Sequence, residues 1–470
     1  MIKNLIANLI NDIGKRLDAK GEKFLMKKIL VLMIVLSMLT IGCESQAKLE
    51  SANETIYYEL FDYSNDLIYE AESLKAIGFD DRDAQRERWD NNPVSEETYG
   101  NINHFNGLAI ESMMTTYDPS ENLVFSPLNL YFALGLIQEG AEGETKDQIT
   151  KLININELDS SLFNNELGNL YRQLSMDNEI GKLHISNSLW LDKDFSFKDD
   201  FISKLGSYYA DLFTADFKSD KLKGKINYWI EDHTNGLLHY DNDIREDEIL
   251  KVISTLYFYD EWVDRFDESL TAKDRFYLSK KEYVEVDFMN MTYGAKSFRR
   301  NEYFQSTHLS MKNHFGMDLY LPNEGIIVEE MLTDSEILAS ILDKSSAMNS
   351  EDRYYGEVII KLPKFSFGSD LGLKESLKHM GVENIFKSEA DFSGISDSDL
   401  LFVGDVVQNS HIAIDEVGVE AASFTQILYF GSGLPEDKCE LILDRPFVFT
   451  ISNGRGVCLY VGIVNNPLIE

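Results

Sequence analysis

The chain has 470 residues, 44% hydrophobic and 12% aromatic, a globular composition with a sizeable core that excludes disorder throughout. Against 44 Lys and Arg stand 80 Asp and Glu, a formal net charge of -36. That balance argues against a nucleic-acid partner, because phosphate binding needs a basic surface, and steers the protein toward basic partners. In chain order, residues 1–25 place Ile2, Leu5, Ile6, Leu9, Ile10 and Ile13 at helical spacing. From Met26, Lys27 and Lys28 precede an apolar run, Ile29 to Ile41, of signal-segment length and short for a membrane span. Gly42-Cys43 follows, so residues 1–42 read as a leader, either with its true start at Met26 or, alternatively, as an unusual leader with an internal apolar segment. Residues 43–97 read as an acidic tether, part of it helical, with charged runs such as Asp80-Asp81-Arg82-Asp83.

Residues 98–470 read as one long globular unit. Helical spacing predicts helices over Phe105–Tyr117, Leu128–Gln138, Lys146–Leu152 and Ser160–Leu174. Strand-like runs follow at Leu183–Leu191, Ile253–Phe258, Met317–Leu321, Val358–Leu362, Ile412–Ile414 and Pro446–Ser452. Helix-rich first and strand-rich later means an α+β fold, not alternating βαβ units.

Motifs for catalysis are missing from the sequence: no Gly-x-Ser-x-Gly elbow, phosphate loop, dinucleotide fingerprint or His-Glu-x-x-His. The three cysteines, Cys43, Cys439 and Cys458, have no metal-ligand spacing. Cys439 and Cys458 read as two buried thiols, with a disulfide between them as the alternative. No cofactor, metal or enzyme activity is expected.

The segment from Gly418 to Arg445 is neither helix-patterned nor an ordinary loop. Alternation puts Val419, Ala421, Ser423, Thr425, Ile427 and Tyr429 on one face, without charge. Glu420, Ala422, Phe424, Gln426, Leu428 and Phe430 fall on the other. A polar tip, Gly431 to Asp437, follows. Alternation alone fits an edge strand and turn first, and a loop able to become a strand second.

Motifs around this segment resemble a known family. Asn122-Leu123-Val124-Phe125-Ser126-Pro127, with Gly140-Ala141-Glu142-Gly143-Glu144-Thr145, resembles the first signature of the serpins. Ile226-Asn227-Tyr228-Trp229 with Thr234-Asn235-Gly236, then Tyr257-Phe258 with Trp262 and Phe266, resemble the second and third. Leu362-Pro363-Lys364-Phe365, Asp391-Phe392-Ser393-Gly394-Ile395 and Asp444-Arg445-Pro446-Phe447-Val448-Phe449 complete the series over about residues 101–467. Glu416-Val417-Gly418-Val419-Glu420-Ala421-Ala422-Ser423 resembles the hinge of inhibitory serpins, with Thr425 continuing its small inserting face. Separately, the run ending at Gly42-Cys43 resembles a bacterial lipoprotein signal, although Thr40 stands where Leu is preferred.

The resemblance implies a serpin fold of three β-sheets with about nine helices and an exposed reactive loop. It implies a suicide inhibitor of serine proteases, monomeric, cut at Ser432–Gly433. A small Ser432 suits elastase-like or subtilisin-like enzymes, whereas a cut after Phe430 or Tyr429 suits chymotrypsin-like ones. Lys364 and Trp262 would sit at the upper breach of the large sheet, with Glu416 paired to Lys364. Ser126, Asn129, Ser254 and Gln408 would form the central shutter, Asn129 and Ser254 exchanging the family's Ser and Asn. Acylation at Cys43 would anchor the protein to the outer side of a bacterial membrane. The alternatives are a non-inhibitory serpin acting as a surface binding protein and a cross-class inhibitor of cysteine proteases.

Overall fold

The computed structural model describes residues 61–239, 244, 248–342, 351–397, 401–419 and 437–469. The chain divides into two compact units, Met1–Asp62 and Tyr63–Glu470, and the second carries the elements below. In order they begin with β1 (Leu67–Tyr69), α1 (Arg82–Asp90), α2 (Glu96–Met114), β2 (Leu123–Phe125), α3 (Pro127–Gly140), α4 (Gly143–Ile153) and α5 (Ser160–Leu174). Next come β3 (Met176–Asn178), β4 (Gly181–Asp192), α6 (Asp199–Lys204), β5 (Ala210–Ala215), α7 (Leu222–His233), β6 (Leu250–Glu261), β7 (Ala272–Tyr277) and β8 (Tyr283–Arg300). Then follow β9 (Phe304–Ser310), β10 (Phe315–Pro322), α8 (Val328–Thr333), α9 (Ser335–Leu342), β11 (Arg353–Pro363), β12 (Phe365–Gly372) and α10 (Lys374–His379). The last are β13 (Val403–Ile414), β14 (Gly418–Val419), β15 (Asp437–Ile442), β16 (Phe447–Asn453) and β17 (Cys458–Val464).

Helix starts follow from local chemistry. Ser95 caps α2 by accepting from the Thr98 N–H, and Glu96 and Glu97 sit at the positive end of the helix dipole. This cap sets the start well ahead of the expected Phe105, and the helix ends at Met114 rather than Tyr117. Ser126 caps α3, where Pro127 takes the first turn and gives up no needed N–H. Every residue of α3 is buried, as expected of a helix that is apolar nearly all round. In the segment read as a tether, Leu67–Tyr69 forms an edge strand on β5 and Arg82–Asp90 is helical.

The strands form two hydrogen-bonded ladders. One runs β1-β5-β4-β6-β13-β12, with β3 on β4 and β14 on β6. The other runs β15-β11-β8-β9-β10-β16-β17-β2, with β7 on β8. The expected three sheets therefore appear as two ladders, because β8 is 18 residues long and runs unbroken from β11 to β9. Among the described residues there are ten α-helices. The main core lies between the ladders and around α3, and a second cluster lies where α7 covers Trp190, Phe213, Ile253 and Val407. Cys439 and Cys458 are buried and form no disulfide with each other.

Candidate functional site

The site is a break in the first ladder. β6 and β13 run parallel and pair from Val403↔Leu250 up to Asn409↔Thr255. Above that point the strands part. β6 continues on β4 as far as Asp260↔Gly181, and β13 continues on β12 as far as Ile414↔Phe365. Among the described residues, 256–259 of β6 and 410–414 of β13 have no ladder partner on the sides that face each other. Unpaired N–H and C=O groups along two such edges form a template for one more strand.

The mouth of this gap holds residues 415–419, where the segment read as a hinge begins. After Ile414 the Asp415 carboxylate accepts from the Val417 and Gly418 N–H groups, and the Asp415 N–H donates to Gly418 O. That tight turn reverses the chain, so Gly418 and Val419 run antiparallel to β6 and pair with Glu261 and Asp260. Gly418 must be glycine here, since a Cβ would lie 2.3 Å from Asp260 O and 2.7 Å from Glu261 Cα. Val419 is 4% exposed and joins the core cluster that holds Leu256 and Phe258. It therefore enters on the inner face of the sheet.

Two polar groups frame the gap. At the top, Glu416 accepts from Lys364 Nζ at 2.6 Å and from Thr271 Oγ1 at 2.8 Å. Burial pushes its carboxyl up, but these bonds prevail and hold it below the usual range. Trp262 is buried beside it, its indole N–H donating to Asp415 O at 3.0 Å. At the parting of the strands, Gln408 spans the Ser126 peptide: its Oε1 accepts from Ser126 N at 2.7 Å and its Nε2 donates to Ser126 O at 2.8 Å. Ser254 Oγ lies 2.6 Å from Asn129 Oδ1 and 2.6 Å from Asn187 Oδ1. A hydroxyl has one proton, so one of these amides must turn its NH2 toward it. The buried, unpartnered Nδ2 of Asn129 identifies Asn129 as that amide.

Sequence reasoning thus names the residues that meet at both ends of the gap: Lys364, Glu416 and Trp262 above, Ser126, Asn129, Ser254 and Gln408 below. Glu420, Ala421, Ala422, Ser423, Thr425, Ser432, Gly433 and Cys43 lie outside the described residues. It misses a charged cluster on β6. Glu261 Oε2 receives Arg265 Nη2 at 2.5 Å and Lys312 Nζ at 2.6 Å. Its neighbour Asp260 is fully buried and accepts from Asn313 Nδ2 at 2.8 Å and Asn313 N at 3.1 Å. Burial pushes the Asp260 carboxyl up to about 7, against the pull of the Asn313 bonds. Two adjacent acids ending a strand are the only signal for this cluster, and in a chain with 80 acids that signal selects nothing.

No group of three or more His, Cys, Asp or Glu side chains among the described residues is placed to hold a metal ion. A family model described as Serpin (serine protease inhibitor) matches residues 101–467. The chain is similar to a serine protease inhibitor of Cyanea capillata, 29% identical over 358 residues, covering 74% of this chain and 93% of that protein. It is similar to an uncharacterized serpin-like protein of Methanosarcina acetivorans, 30% identical over 363 residues, covering 74% and 83% respectively. Among solved structures it is similar to Tengpin, a thermophilic serpin in the native state, with a TM-score of 0.69, 25% identity and coverage of 85% of this chain and 97% of that one.

Proposed function

The chain belongs to the serpin family, and from that premise we propose that it is a single-use inhibitor of serine proteases that inserts its cleaved loop between β6 and β13. The observation that carries this reading is the open upper half of the ladder, with Gly418 and Val419 already paired at its mouth. The protease supplies the nucleophile. Its serine attacks the carbonyl of Ser432, the Gly433 nitrogen leaves as an amine, and an acyl-enzyme remains on the new end of the loop. The freed segment then continues the strand that Val419 begins. Ala421, Ser423 and Thr425 follow Val419 on the inner face by strand alternation, and all are small enough to be buried there.

A new strand of ~12 residues adds about a dozen ladder bonds at roughly 0.5–1.5 kcal/mol net each. That sum is large enough to oppose the deformation of a bound protease. The strand must also pass Asn409↔Thr255, below which β6 and β13 still pair and α7 covers Ile253 and Val407. Full insertion therefore requires these strands to separate and α7 to shift before the acyl bond is hydrolysed. The small Ser432 favours an elastase-like or subtilisin-like target, and acylation at Cys43 holds the inhibitor at a bacterial surface.

The test is incubation with a panel of serine proteases followed by denaturing electrophoresis. Wild type should give a complex that survives SDS and release a C-terminal fragment starting at or near Gly433. Digestion by every protease tried, with no trapped complex, would overturn the reading.

A further inference from the structure

A cavity of about 370 Å³ lies between α1, the end of α5, the turn before β10 and the turn between β16 and β17. Its apolar lining includes Phe79, Trp89, Leu174, Met176 and Phe315. Its cations are Arg82, Arg88, Lys312 and Arg455, and Asp177 is the one carboxylate among the lining residues. In a chain with 80 acids and 44 bases that local ratio is inverted. The guanidinium groups are backed by aromatic faces: Arg82 lies 5.0 Å from the Phe79 ring, and Arg455 lies 5.7 Å from Trp89 and 5.6 Å from Tyr99. Arg82 makes no ion pair among the described residues, and Arg455 pairs with Glu96, an exposed carboxylate, at 3.4 Å. Exposed pairs of that kind are weak, so both guanidinium groups are available to an incoming anion.

The same cavity wall reaches the hinge. Lys312 and Asn313, in the turn before β10, line the cavity on one side and bind β6 on the other. Lys312 holds Glu261 through Nζ and through its N–H, which donates to Glu261 O at 2.9 Å. Asn313 holds Asp260, and its Oδ1 accepts from Asn178 Nδ2 at 2.9 Å. Its amide fits because residue 181 is glycine, where a Cβ would lie 2.3 Å from Asn313 Nδ2. Glu261 and Asp260 are the residues against which Gly418 and Val419 pair.

We propose that this cavity is an effector site for a compact amphipathic anion, one acidic group on an aromatic or aliphatic body, whose acid shares Lys312 with Glu261. The body fills the apolar floor, and the acid is taken by Arg82, Arg455 and Lys312. Pockets of this size suit a ligand of that class. An acid drawn to Lys312 weakens its hold on Glu261, and the end of β6 at the mouth of the gap loosens with it.

The probe is 8-anilinonaphthalene-1-sulfonate, with its neutral relative N-phenyl-1-naphthylamine as control, titrated into the whole protein and followed by probe fluorescence. The sulfonate should bind saturably at one equivalent and at least about tenfold tighter than the neutral relative. Arg82→Glu and Arg455→Glu should each weaken it by about tenfold or more. Arg82→Gln, a change confined to an exposed side chain, should weaken it in the same direction and keeps the test readable if a charge reversal unfolds the protein. Hydrogen exchange over residues 256–261 should quicken on binding in wild type and stay unchanged in Lys312→Met. Equal binding of the neutral relative, unaltered binding by all the arginine variants, or exchange that ignores the ligand would each overturn the proposal. None of these readouts needs a protease, so they stand apart from the outcome of the inhibition test.

Discussion

Gln408 shows how one side chain can close the lower end of the gap. It satisfies both the N–H and the C=O of Ser126, and all four groups are buried away from water. Gln408→Ala leaves the buried Ser126 N–H without a partner, at about 1–3 kcal/mol, and its C=O with only the Leu130 N–H at 3.3 Å. The variant should melt several degrees lower and form polymers on mild heating, read by a thermal scan and native electrophoresis. Unchanged melting would mean that the shutter holds nothing. Asp260 acts through pH. Its carboxyl is pushed up to about 7 by burial, while an unfolded aspartate titrates near 4. Between about pH 4 and pH 7 the native state keeps a proton that the unfolded state gives up. Stability therefore falls as pH rises through that window, by roughly 1.4 kcal/mol per pH unit, and levels off above it. Asp260→Asn has no such proton, so its urea midpoint should fall less than the wild-type midpoint between pH 5 and pH 8. Parallel midpoints would contradict the assignment. The residues at both ends of the gap were legible because their motifs sit in order along the chain. Asp260, Lys312 and Asn313 were not, because the contact joins positions more than 50 residues apart and no spacing announces it.

At the scale of elements, Gly418 and Val419 form a two-residue strand among the described residues, and on the proposed reading the gap they enter takes a longer one. Val419 faces Asp260 directly across the ladder. An arginine at 419 would meet that carboxylate and find a partner, so it is a poor probe of insertion. Glutamate is the sharper change, because it sets two acids opposite each other in a buried pair. Val419→Glu should be cut at the same bond as wild type yet trap little protease, with the number of inhibitor molecules consumed per protease rising severalfold. Trapping at wild-type efficiency would show that Val419 does not lead the insertion. Element positions were read from periodicity with uneven success. Ser160–Leu174 coincides with α5 because its capping aspartate and apolar spacing start together. The start of α2 was missed because its first turn is Glu96-Glu97-Thr98, which is polar, and only the Ser95 cap marks it. The short predicted strand Ile412–Ile414 is the end of the 12-residue β13, whose middle carries Gln408, Asn409 and Ser410, buried polar residues that break the apolar signal.

On the proposed reading, the whole molecule stores its function as an incomplete sheet. Periodicity can find β6 and β13, but the point where they part is a matter of register and lies beyond any local pattern. The same holds for β8, whose 18 residues join what the family resemblance implied were separate sheets. On that reading, an open seam flanked by paired strands is a native state short of its lowest free energy, kept by the barrier to separating β6 from β13. Cleaving the loop should free an end that can insert and so let the molecule cross that barrier. The most direct test is to nick the loop with a protease, purify the cleaved protein and compare it with the intact form by thermal unfolding and amide hydrogen exchange. The account predicts a melting midpoint raised by tens of degrees and new protection at residues 256–259 and 410–414, the edges without a ladder partner among the described residues, and along the inserted segment. A cleaved protein that melts with the intact one, and whose amides at those edges exchange as before, would contradict it.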